Sequence, residues 1–116
     1  MRKIVAVVDD DPSMLRALGI LLDAHGFTTV VFESAEQFLG RGAPNEVACL
    51  LLDIQLGGKS GIELARQLRA SGSTLPIVFM TALDDDAILQ MTTGFTCLRK
   101  PFTAGQLMGA IEQVAA

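Results

Sequence analysis

The run Leu50-Leu51-Leu52-Asp53-Ile54-Gln55-Leu56 carries an unbroken apolar segment into one carboxylate and then into Gly57-Gly58. An apolar run of strand length without alternation fits a strand covered on both faces, as in a parallel sheet packed between helices. Asp53 then falls at the carboxyl end of that strand. This is the edge at which open α/β sheets bind ligands, so the charge is not stranded in the core. Composition agrees: half of the 116 residues are hydrophobic and the mean hydropathy is +0.43. A chain of this length is expected to form one domain, residues 1–116, large enough to bury a core.

Strand and helix signals alternate from end to end. Lys3 to Val8 is a β-branched run that meets Asp9-Asp10-Asp11 and Pro12, an arrangement that caps and starts a helix. Met14, Leu18, Leu21 and Leu22 form the apolar face of that helix, and Gly26 ends it. Thr28 to Phe32 is a second strand; Ser34-Ala35-Glu36-Gln37 has capping-box spacing and opens a short helix through Leu39, closed by Gly40 and Gly42. After the central strand, Val47 to Leu52, the segment Gly61 to Ser71 is amphipathic, with Ile62, Ala65 and Leu68 inward and Arg66 and Arg69 outward. Pro76 to Met80 is a fourth strand, ending in Thr81. Asp84, Asp85 and Asp86 cap a short helix to Thr93, with Gly94 as its stop. Thr96 to Leu98 is a fifth strand, and Thr103 caps a last helix carrying Leu107, Ile111 and Val114. Five strands alternating with five helices give a parallel sheet with right-handed crossovers. The length fits a flavodoxin-like doubly wound α/β fold of strand order 2-1-3-4-5.

The same reading excludes several classes. No apolar run approaches a membrane span, and Met1-Arg2-Lys3 before a short β-branched run is not a signal peptide, so a soluble, cytoplasmic protein without membrane association is expected. A formal charge of −4 and a pI near 4.7 argue against direct nucleic-acid binding. Cys49 and Cys97 lie in apolar runs without metal spacing and read as buried free thiols. His25, near a helix end, reads as a surface residue.

The strand ends hold the chemistry. Strand one ends in Asp9, Asp10 and Asp11, strand three in Asp53, strand four in Thr81 and strand five in Lys100. In a parallel sheet these meet on one edge, where clustered carboxylates raise one another's pKa and a hard divalent cation relieves them. Mg²⁺, which takes oxygen ligands, is the implied ion. A carboxylate beside Mg²⁺, with a hydroxyl and an ammonium nearby, is equipment for phosphoryl transfer through an acyl phosphate.

Val8-Asp9-Asp10, Leu52-Asp53, Thr81-Ala82 and Lys100-Pro101-Phe102, in this order after four strands, resemble the receiver domain of bacterial two-component response regulators across essentially the whole chain. VVDDDPSMLRAL and SAEQFL look most like the branch that often precedes a helix-turn-helix output domain. The resemblance implies that Asp53 is the phosphoacceptor, and that Asp10, Asp53 and the backbone carbonyl of Gln55 bind Mg²⁺, with Asp9 acting through metal-bound water. It implies that Thr81 and Lys100 contact phosphoryl oxygens and that the Lys100-Pro101 bond is cis. It also implies a phosphohistidine donor on a sensor histidine kinase or phosphotransfer protein, a separate output domain or target, and phosphotransfer and dephosphorylation of itself in place of enzymatic turnover.

The chain departs from that family in three places. Gly57 stands where proline is usual, Cys97 where Tyr, Phe or His is usual, and the segment from Thr81 to Lys100 is short, shortening the fourth helix. A phosphorylation-dependent dimer is common in the family, but with Cys97 and a short fourth helix it is not expected to form through the usual face. Phe95 is a candidate replacement for the ring, with a core role as its alternative. The main alternative function is a phosphate-independent pseudo-receiver. A Mg²⁺ phosphohydrolase would need a second Asp where Gln55 stands. A flavin carrier would have its phosphate repelled by the three aspartates after strand one.

Overall fold

The computed structural model describes residues 2–42, 46–82 and 86–115. They form β1 (Ile4–Val8), α1 (Pro12–Ala24), β2 (Thr28–Phe32), α2 (Ala35–Arg41), β3 (Val47–Asp53), α3 (Gly61–Ala70), β4 (Ile77–Thr81), α4 (Asp86–Met91), β5 (Thr96–Arg99) and α5 (Ala104–Ala115). All strand pairs are parallel, in the order β2-β1-β3-β4-β5. This is the doubly wound arrangement expected from the alternation.

Side chains on a strand alternate between its faces, and the sheet divides the core in two. Val5, Val7, Leu51, Val78 and Met80 pack on one side with Leu18 and Leu22 of α1 and Leu107 and Ile111 of α5. Ala6, Val8, Leu50, Leu52, Ile77 and Phe79 pack on the other with Phe38 of α2 and Ile62, Leu64 and Ala65 of α3. Because β1, β3 and β4 are covered on both faces, their runs are apolar without alternation.

The helix ends follow their capping residues, with some departures from the sequence expectations. The Asp11 carboxylate accepts from the Ser13 amide at 2.9 Å and Pro12 fills the first helical position. The buried face of α1 is Leu15, Leu18 and Leu22, with Met14 and Leu21 only partly buried at its margin. The buried stripe is therefore rotated slightly from the expected one, because α1 packs against β1 and β2. The Ser34 hydroxyl accepts from the Gln37 amide at 3.0 Å, but Gln37 Oε1 accepts from the Glu33 amide and not from Ser34, so the box is incomplete there. The complete capping box is Ser60–Glu63 at the start of α3. α2 continues through Gly40 and ends with Gly42, whose φ of 74° suits glycine. Leu64 joins the buried face of α3, while Leu68 is half-buried. The fourth helix is short, as expected, and stops at Met91, two residues before Thr93; Asp84 and Asp85 of its expected cap lie outside the described residues.

Both cysteines are free. Cys49 is fully buried, and burial pushes its thiol up to about 12. Cys97 is only half-buried, short of the full burial expected, because β5 is an edge strand with one side uncovered. Burial, partly offset by Arg99, still raises its pKa. Thiolate is the reactive species. A thiol reagent at neutral pH is therefore expected to label Cys97 slowly in the native protein and Cys49 only after unfolding, as read by peptide mass mapping. Equal labelling of the two in native protein would contradict this packing.

Candidate functional site

The register brings the charged strand ends to one edge. Val8 of β1 pairs with Leu52 of β3, Asp53 with Met80 of β4, and Thr81 with Arg99 of β5, so Asp9, Asp53, Thr81 and Lys100 all sit at or just past the same end of the sheet. The chain there is anchored by main-chain bonds: Asp9 N donates to Phe32 O at 3.1 Å, Ile54 N to Met80 O at 3.0 Å, and Lys100 N to Thr81 O at 2.8 Å.

Two aspartates from two strands use their oxygens in the same way. Asp9 Oδ1 accepts from the Asp11 amide at 2.9 Å, and Asp53 Oδ1 from the Gln55 amide at 2.9 Å, each closing an Asx turn. Their Oδ2 atoms both face Lys100 Nζ, at 2.8 Å from Asp9 and 3.1 Å from Asp53. The turns fix one oxygen of each carboxylate, and the ammonium draws the other two together. Asp9 is 0 % exposed and Asp53 6 %, so neither charge would be tolerated here without such partners.

Asp10 lies beside them but is exposed, and one carboxylate oxygen from each of Asp9, Asp10 and Asp53 falls within a 4.8 Å group. Asp11 is not in this group and caps α1. Thr81 is 1 % exposed at the end of β4, next to the register position facing Asp53. Gln55 is exposed, its main chain fixed by the turn to Asp53. The Lys100–Pro101 peptide bond is cis. Phe95 stacks edge-on against Phe79, with centroids 5.1 Å apart, and Arg69 lies 5.6 Å over its ring; it is therefore part of the packing on the α3 side.

Gly61 was not among the residues singled out from sequence, yet it decides how closely α3 approaches the site. A Cβ there would lie 2.1 Å from the Asp53 carbonyl oxygen, and the Gly61 amide donates to Ile54 O at 3.0 Å. Only glycine lets the first turn of α3 lie against the backbone that carries Asp53. Glycine at a first helical position, just after a capping serine, was the available signal, since that position otherwise favours proline or a helix former.

The donor set is hard oxygen throughout, with no His or Cys among the described residues in this group. Three carboxylates a few ångströms apart fit Mg²⁺ or a similar cation better than a soft metal. The electrostatics fit too. Burial raises the pKa of Asp53, and the charge of Asp9 adds to this against the opposing effects of the Gln55 amide and Lys100. Burial alone would lower Lys100, but its bond to Asp9 and the charge of Asp53 outweigh that and raise it, so the ammonium persists at neutral pH.

The family model for the response regulator receiver domain matches residues 5–112. Among curated proteins, the transcriptional regulatory protein FixJ of Bradyrhizobium diazoefficiens is 35% identical over 111 residues, covering 93% of this chain and 54% of its own. The DNA-binding response regulator MtrA of Mycolicibacterium smegmatis is 38% identical over 115 residues, covering 97% and 50%. The chain thus spans about half the length of these relatives. Among solved structures, the response regulator StyR superposes with a TM-score of 0.86 at 39% identity, over 99% of this chain and 60% of that one. The chemotaxis protein CheY4 of Vibrio cholerae shares the fold, with a TM-score of 0.87 at 20% identity over 98% and 99%.

A raised carboxyl pKa has a definite sign in stability. The folded state holds the Asp53 proton at pH values where the unfolded chain, at an ordinary 3.8, has lost it. Stability from this group is therefore lost as pH rises through the folded pKa. Asp53→Asn is expected to raise the melting temperature by a few degrees at pH 7, with the gain shrinking as the pH is lowered toward 4; calorimetry across that range checks it. A gain independent of pH, or a loss at pH 7, would contradict the burial argument.

Proposed function

The chain belongs to the response regulator receiver domain family, and from that footing we propose that Asp53 accepts a phosphoryl group from a phosphohistidine on a partner sensor histidine kinase or phosphotransfer protein. The observation that carries this is the single ammonium of Lys100 held between Asp9 and Asp53, with Asp10 completing the acidic group. In the proposed step an Asp53 carboxylate oxygen bonds to phosphorus, the phosphorus–nitrogen bond breaks, and its electron pair leaves with the imidazole. The products are an acyl phosphate on Asp53 and a histidine free of phosphate.

Each neighbour has a part in that step. Lys100 offsets charge on one phosphoryl oxygen and the Thr81 hydroxyl donates to another. The Gln55 amide keeps the Asp53 carboxylate oriented. Asp10, Asp53 and the Gln55 carbonyl would hold Mg²⁺, with Asp9 acting through a bound water. When bound there, the ion would supply positive charge against the oxygens of the transferring group. Movement of Thr81 toward the phosphoryl group changes the surface near β4 and β5, which an output partner or domain reads in the cytoplasm. FixJ is a transcriptional regulatory protein and MtrA a DNA-binding response regulator, which favours transcription as the output of the whole protein.

The main alternative, a module that signals without phosphate, predicts no covalent change. Incubation with acetyl phosphate and Mg²⁺ is expected to increase the intact mass by one phosphoryl group. The adduct should be absent for Asp53→Asn, and its formation slowed by at least ~10-fold in Lys100→Ala, the range for removing one charged stabiliser of the transition state. An unchanged wild-type mass spectrum would favour the alternative.

A further inference from the structure

We propose that Glu36, in the first turn of α2, is a positioning residue that clamps the glycine loop between Asp53 and α3 over the carboxylate pocket; this deepens, and rests on, the phosphoacceptor reading of Asp53. The loop runs from Ile54 to Ser60 and has two adjacent glycines at its centre, Gly57 and Gly58. Such a pair has more unfolded-state freedom to lose than any other dipeptide and carries no side chain with which to anchor itself. The anchor must come from elsewhere in the fold.

Two independent contacts place Glu36 in that role. The Lys59 amide donates to Glu36 Oε1 at 3.1 Å. The same carboxylate lies so close against Gly58 that a Cβ there would be 2.7 Å from Oε2 and 2.9 Å from Oε1. Gly58 is thus the residue that admits the carboxylate to the loop backbone. On the far side, Lys59 Nζ donates to Gln67 Oε1 of α3, so the loop is held from both flanking helices. Its position matters to the pocket: a Cβ on Gly57 would lie 4.0 Å from Asp10 Oδ2, which makes this loop a wall of the acidic group. A loop that drifts would change the approach to Asp10 and the placement of the Gln55 carbonyl at the base of the same loop.

The side chain also has the right length and place. Glu36 sits at the amino-terminal end of α2, where the helix dipole favours a carboxylate. Its oxygen, not its charge, makes the bond to Lys59, so an amide of the same length can replace it.

Three variants separate the clamp from other roles. Glu36→Ala removes the acceptor, Glu36→Gln keeps it without the charge, and Gly58→Ala expels the carboxylate by its new Cβ while leaving Glu36 in place. Two readouts are used: exchange of the Lys59 amide by NMR, and the rate of phosphorylation by acetyl phosphate at limiting Mg²⁺. Glu36→Ala and Gly58→Ala are expected to lose Lys59 amide protection and to slow phosphorylation by ~3–10-fold, the size of one exposed hydrogen bond. Glu36→Gln should stay within about 2-fold of wild type in both. Unchanged Lys59 exchange in Glu36→Ala would overturn the clamp. So would Glu36→Gln being as slow as Glu36→Ala, since the charge would then be what matters. If wild type takes no phosphoryl group at all, the phosphoacceptor reading fails, and this is told apart because the exchange readout still reports the loop contact by itself.

Discussion

One ammonium between two buried carboxylates is the interaction on which this edge of the molecule depends. Lys100 Nζ is within 3.1 Å of both Asp9 Oδ2 and Asp53 Oδ2, and its own amide is tied to Thr81 O. Without the ammonium, two charges that are almost fully covered would repel each other in a poorly solvated place, so losing Lys100 costs far more than an exposed pair is worth. With it, three strand ends that meet nowhere else in sequence share one point. The cost of burying the charges is met by the partners of each oxygen, and Asp10 beside them adds negative charge that a divalent cation would offset.

The sheet makes that point possible. Parallel strands place all carboxyl ends on one edge, and the tight register of β1, β3 and β4 brings Asp9 and Asp53 level. The backbone then finishes the work: two Asx turns aim the carboxylates, and Gly61 lets α3 close against the Asp53 carbonyl. Stability and function pull apart here. Asp53 is held in a place that raises its pKa, so the folded protein carries a carboxylate that it would hold more comfortably as the acid. If Asp53 is the phosphoacceptor proposed above, such a site favours exchanging its charge for a bond.

Much of this was legible in the sequence because it follows from short-range rules. The apolar run before Asp53, Asp11-Pro12 at the start of α1 and Thr103 at the start of α5 each signal their element locally, and the alternation of elements gives the parallel sheet and its order. The acids and Lys100 could be assigned to one edge because each stands at a strand end. What sequence could not give was contact between distant segments. Gly61 against Asp53 and Glu36 against Lys59 depend on how α2 and α3 pack, which no spacing encodes. The α1 stripe was displaced for the same reason, with Leu15 buried where Met14 and Leu21 had been expected to share the face. Cys97 is half-buried because β5 is an edge strand, and strand order becomes certain only once the sheet is assembled.

If acids from two strands and one lysine form a single cation-binding pocket, Mg²⁺ should perturb this edge and no other. A Mg²⁺ titration followed by amide chemical shifts tests it most directly. Saturable changes are expected, confined to residues 9–11, 53–58, 81–82 and 100 and lost when Asp53 or Asp10 is replaced by Asn. Changes spread over the other surface acids, such as Asp23 and Glu112, or a saturable response that persists unaltered in both variants, would contradict it.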